Sequence, residues 1–97
     1  MSYFEEITNP TWEYPIKSFF NDIDINHMLT ISRGGLNLGK YEDVKNKGKE
    51  IYVKVLGKDF EDVQFFGQRM PTPPSPEWTP DMLNLYKKWM DNGYPEA

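Results

Sequence analysis

Residues 79–93 carry the signals that start, side and stop a helix, and that helix constrains what the rest of the chain must supply. Thr79 stands at the N-cap, and Pro80 takes the first helical position, where its missing N–H costs nothing. Asp81 lies in the first turn, facing the positive end of the helix dipole. Met82, Leu85, Tyr86 and Trp89 recur at three- and four-residue steps and form an apolar stripe. Asn92-Gly93 ends the helix, with Pro95 beyond it. A stripe holding a tyrosine and a tryptophan needs an apolar partner of its own kind.

The first candidate partner is a short helix over 15–21. Pro15 suits its first position, and Ile16, Phe19 and Phe20 share one face. Phe19 or Phe20 is expected to pack against Tyr86 or Trp89, with the first and last helices crossing. Alternation of Ile23 and Ile25 over 22–29 fits a strand, but a tight helical turn fits the neighbouring helix better. Ser32-Arg33-Gly34-Gly35 reads as a loop. Tyr41, Val44, Gly48, Ile51, Tyr52 and Val55 hold helical spacing to Leu56, either as one helix or as two abutting ones, 40–47 and 48–56. Gly48 is the weak point, costing about 1 kcal/mol against Ala in a helix interior. Gly57 is the expected stop. Phe60, Val63 and Phe66 are spaced for one more helical turn, ended by Gly67. Pro71–Pro76 reads as an extended, stiff connector close to polyproline II, rather than a ligand for a proline-binding domain.

Ninety-seven residues supply one hydrophobic core, so one domain is expected over 1–97. Residues 1–14 form an acidic, aromatic extended arm with Tyr3, Phe4, Trp12 and Tyr14, and 15–95 form the core. Six Phe, six Tyr and three Trp must fill much of that core, and they argue against a disordered chain. Eight Pro and seven Gly require ordered, non-helical connections between short helices.

The net charge of −4 argues against general binding to nucleic acid or an anionic membrane, since both reward a basic face. Lys40, Lys45, Lys47, Lys49, Lys54 and Lys58 cluster among Glu42, Asp43, Glu50 and Asp59, which fits a solvated helix surface with i,i+4 pairs. The absence of cysteine removes disulfides, thiolate metal sites and a cysteine nucleophile together. The first residues have neither the basic nor the apolar region of a secretory signal. No apolar run approaches the roughly 18–20 residues that span a bilayer. A cytoplasmic location is expected, or a periplasmic one if a signal peptide has been removed.

Chemistry-bearing motifs are sparse. Asp22, Asp24 and Asn26 match the opening of a calcium loop, but the sixth position holds His27 instead of Gly and the twelfth holds Arg33 instead of Glu. A weaker metal site from Asp22, Asp24 and His27 is a minor alternative. A single histidine disposes of most zinc sites. None of Ser2, Ser18, Ser32 or Ser75 sits in a nucleophile-elbow context, and Gly34-Gly35 is not followed by a phosphate-loop pattern. Fifteen acidic residues carry no acid–base signal without geometry, so catalysis is not expected.

In order and spacing the chain resembles a class I cytochrome c. The resemblance covers about residues 15–95: Ile16–Phe20, then Ile23-Asp24-Ile25-Asn26-His27, Leu36-Asn37-Leu38, the Tyr41–Leu56 helices, Met70-Pro71, and Leu83–Gly93 with Trp89. It implies an all-α fold: a small cytochrome-c-like bundle of three to five short helices with long ordered loops. His27 and Met70 stand where the axial haem ligands would be. The two thioether positions, however, hold Ile23 and Asn26, which excludes covalent haem. Residues 58–68 are longer and more aromatic than the family's turn before the axial Met. Phe60, Phe65 and Phe66 are therefore candidates either to fill the vacated cleft or to bind a partner, with Phe66 the first choice as filler.

Three functions follow as expectations. The first is a haem-free, non-catalytic accessory module that binds a protein, such as a redox enzyme, and needs no cofactor. The second is electron transfer through non-covalent haem b held by His27 and Met70. The third is a small-molecule binder or enzyme that uses the vestigial haem cleft.

Overall fold

The computed structural model describes residues 7–67, 69–70 and 77–97. The proline-rich connector and the start of the N-terminal arm lie outside them. Among the described residues there are four α-helices and no strand. They are α1 (Asp22–Ile31), α2 (Tyr41–Asn46), α3 (Gly48–Leu56) and α4 (Pro80–Asp91), preceded by a 3-10 turn, Ile16–Phe19. The all-α expectation holds, and of the two readings of 41–56 the one with two abutting helices is the one that forms.

The last helix forms as its sequence requires. The Thr79 hydroxyl accepts a hydrogen bond from the Met82 N–H, Pro80 follows, and Leu85, Tyr86, Trp89 and Met90 are buried. Gly93 (φ 86°) closes it, with the Gly93 N–H donating to Met90 O at 3.0 Å and the Tyr94 N–H to Trp89 O at 2.9 Å. A glycine takes this left-handed position without the steric cost a β-carbon imposes.

The expected helix over 15–21 is a four-residue 3-10 turn, with Pro15 just ahead of it. It does contact α4. Trp78 provides a ring bridge between them, its centroid 5.2 Å from Phe19, 5.4 Å from Phe20 and 5.5 Å from Tyr86. A second bridge comes from Trp12, 6.3 Å from Phe20 and 6.2 Å from Trp89. The arm is tied down here as well: the Trp12 N–H donates to Pro95 O and the Glu13 N–H to Glu96 O. One core therefore gathers both ends of the described chain, and its largest members are rings.

Two local expectations are corrected. Residues 22–31 are neither a strand nor a single tight turn but a ten-residue helix. Its start is a capping box in which Asn21 Oδ1 accepts from the Asp24 N–H at 2.8 Å while the Asn21 N–H donates to Asp24 Oδ2. Reciprocal satisfaction of two otherwise unpaired donors sets this helix start, with little apolar sidedness to help. The segment 60–66 is not a helical turn. Phe60 and Val63 exchange backbone hydrogen bonds at 3.0 Å across a tight turn, with Glu61 at φ 53°. The three-residue spacing of Phe60, Val63 and Phe66 therefore does not define a common face.

Candidate functional site

α3 brings the most distinctive surface feature together. Ile51 on α3, Met28 on α1, Leu36 in the loop after α1, and Met70 line a pocket of about 90 Å³. Lys47, Glu50 and Lys54 complete its wall. The surface inside is almost wholly apolar, so the two lysines contribute mainly their aliphatic stems to it.

The pocket borders the aromatic segment through Lys54. Its ammonium donates to the Phe66 carbonyl and stands 5.6 Å from the centre of the Phe65 ring. Phe65 is further held by its N–H, which donates to Asp59 Oδ1 at 2.8 Å. The three phenylalanines thus have different environments. Phe60 packs edge-on against the buried Tyr52, with centroids 5.0 Å apart, and joins the core. Phe65 is half-buried. Phe66 is 69% exposed, which corrects the expectation that it fills the interior. The cause is the turn at 60–63, which takes the chain out of helical register before Phe66 is reached.

Met70 is buried and lines the pocket, whereas His27 lies exposed on α1 and is not among the lining residues. Its neighbour Met28 takes that place. The pocket is also well below the roughly 300 Å³ at which small-molecule and cofactor sites begin. Among the described residues no group of three or more His, Cys, Asp or Glu is arranged to hold a metal ion. Asp24 is engaged in the cap of α1, and Asp22 is exposed.

A second, polar groove of about 270 Å³ runs between the α2–α3 junction and the 60–63 turn, walled by Lys49, Asp62 and Tyr94 among others. Lys49 Nζ lies 2.6 Å from Glu61 Oε2, and this hydrogen bond and charge raise the lysine pKa. Burial raises that of the Tyr94 hydroxyl, against the opposing pull of Lys49. Lys49 thus pairs with the 60–63 turn, whereas the i,i+4 ion pairs among the described residues are Lys17–Glu13 and Lys87–Asp91.

Sequence reasoning singled out Met70 for another role and missed the pocket itself. Met28, Leu36 and Ile51 come from three separate places in the chain, and no periodicity within any one of them signals a shared depression.

Over 88 residues, 90% of this chain, the sequence is 32% identical to cyclopenase penL of Penicillium thymicola. The matched stretch is 12% of that protein, so the chain spans about an eighth of the length of the curated relative it matches. No family model matches the chain. No solved structure matches it.

Proposed function

We propose that this chain is a non-catalytic, haem-free accessory module of cytochrome-c-like layout, which acts by binding protein and serves a cyclopenase-like enzyme. The observation that carries this is the proportion of the likeness: nearly the whole of this chain corresponds to a small part of a much larger enzyme. The layout is supported by the packing of the N-terminal turn on α4. The non-catalytic role is supported by the interior, where among the described residues the buried side chains are mainly rings, aliphatics and thioethers and the buried charged group, Asp24, is used in a helix cap. The remaining surface offers a small apolar socket beside an exposed phenylalanine, features that suit contact with another polypeptide better than turnover of a substrate.

Segment exchange tests this. In cyclopenase penL, deletion of the matching segment should impair the enzyme, and insertion of this chain in its place should restore activity. The isolated chain should be inert toward the same substrate. Turnover by the isolated chain, or an enzyme indifferent to the deletion, would overturn the proposal.

A further inference from the structure

The rim of the apolar pocket has an ordered charge pattern. Lys47, Glu50, Ile51 and Lys54 stand at i, i+3, i+4 and i+7 along α3 and its N-cap, which is one helical face. Seven residues of helical rise put the two lysine α-carbons about 10 Å apart. Ile51 lies between them at the pocket wall, and Glu50 is the one acid against two bases. On the Lys54 side the surface continues onto Phe65 and the exposed Phe66.

Size limits what can enter. The pocket's 90 Å³ is less than the roughly 150 Å³ of a cavity that takes benzene, and far less than a cofactor needs. A single aliphatic side chain is the right scale. Because the inside is apolar and the rim carries a net positive charge, the best complement is an aliphatic group between carboxylates.

We propose that this pocket is the socket for one aliphatic side chain of an acidic protein partner, presented on an extended segment with a carboxylate two residues to either side. Residues i−2, i and i+2 of an extended strand point to one face, which aims all three groups at the same surface. The outer two lie about 13 Å apart, within reach of Lys47 at one end and, at the other, of the N–H donors that the Lys54 ammonium keeps beyond its bond to the Phe66 carbonyl, the two α-carbons being about 10 Å apart. Phe66 would then cover one end of the bound segment. This assignment rests on the protein-binding role proposed above and names the partner's chemistry at that surface.

The test is titration of the ¹⁵N-labelled 97-residue chain with three capped heptapeptides, SESLSES, SESASES and SKSLSKS, followed by amide shifts. With SESLSES the amides of Met28, Leu36, Ile51, Lys54 and Met70 should move together. Each of the other two peptides should bind at least tenfold more weakly. In a chain carrying Lys47→Glu and Lys54→Glu, whose dispersed spectrum checks its fold, the preference should reverse toward SKSLSKS; Lys47→Gln with Lys54→Gln should abolish the charge preference if the first pair unfolds. Equal binding of SESASES, a wild-type preference for SKSLSKS, shifts centred elsewhere, or none at millimolar peptide would each overturn the assignment. Failure here alongside a working segment exchange in cyclopenase penL would fault the pocket alone. Failure of both would fault the protein-binding role.

Discussion

Gly48 and Tyr94 share one volume: a β-carbon built on Gly48 would fall 2.4 Å from Cε1 and 2.5 Å from the hydroxyl of Tyr94. The tyrosine ring is held over the start of α3 by its edge-on contact with Trp89, centroids 5.0 Å apart, and by its N–H donating to Trp89 O. The Tyr86 hydroxyl donates to the Gly48 carbonyl at 2.9 Å, which fixes the same backbone from the other side.

Gly48→Ala should therefore destabilise the protein, although helix propensity favours Ala, by less than the about 1 kcal/mol of an interior position because Gly48 is the first residue of α3. A new methyl displaces the Tyr94 ring from Trp89, a packing cost of about 1–3 kcal/mol. Chemical melts of Gly48→Ala, Tyr94→Ala and the double variant test the coupling. In the Tyr94→Ala background the Gly48 substitution should become neutral or stabilising.

A different kind of prediction concerns pH. Burial raises the pKa of Tyr86 well above the usual value near 10, and raises those of Tyr52 and Tyr94 as well. The unfolded chain then loses its phenolic protons at lower pH than the native one. The native state binds more protons above about pH 10, so its stability falls as pH rises through that range and is intact below it. Tyr86→Phe should flatten the decline between about pH 9 and 11. Denaturant midpoints of both proteins across that range measure it; parallel slopes would remove Tyr86 from the account.

The C-terminus of α1 uses a residue poorly suited to its backbone. Arg33 sits at φ 55°, where the Arg33 N–H donates to Thr30 O and the Gly34 N–H to Leu29 O. That is the closure which Gly93 provides for α4 without a β-carbon. Arg33→Gly should stabilise the protein by about 0.5–1 kcal/mol, since relief of the left-handed strain exceeds the added freedom of the unfolded chain. The midpoint of a urea melt, at unchanged slope, gives the answer.

Legibility of the fold followed the range of the interactions that made each element. α4 could be read residue by residue because its cap, its stripe and its glycine stop are all local. Gly57, at φ 80°, stopped α3 for the same reason. α1 was under-read because its start depends on Asn21 and Asp24 bonding each other, while Ile23 and Ile31, 58% and 60% exposed, blur its sidedness. From the sequence alone Gly48 reads as a weak point, because its partner Tyr94 is 46 positions away in the chain. Trp12 reads as part of the arm and Trp78 only as one of three tryptophans for the core, and nothing local marks them as the rings that join the first turn to the last helix. The candidate site was the least legible part, since its walls meet only after α1, the following loop, α3 and Met70 are packed.

Phe60 and Phe66 should respond oppositely to truncation, although their spacing by itself suggests a shared helical face. Phe60 is half-buried and packs edge-on against Tyr52, whose own ring lies parallel to that of Tyr86, with centroids 5.9 Å apart. Removing its ring takes away the edge-on support of that stack, so Phe60→Ala should cost about 2–4 kcal/mol, toward the lower end of values for a buried aromatic because Phe60 is not fully enclosed. Phe66 is 69% exposed and loses little on truncation, so Phe66→Ala should stay within about 0.5 kcal/mol of the parent. Its effect belongs instead to association: if the segment bound at the pocket runs past Lys54, the same substitution should weaken the SESLSES peptide several-fold while leaving the melt unchanged. Paired melts and peptide titrations on the two variants separate these roles. A Phe66→Ala melt shifted as far as that of Phe60→Ala would return Phe66 to the interior and take away the exposed edge of the proposed docking surface.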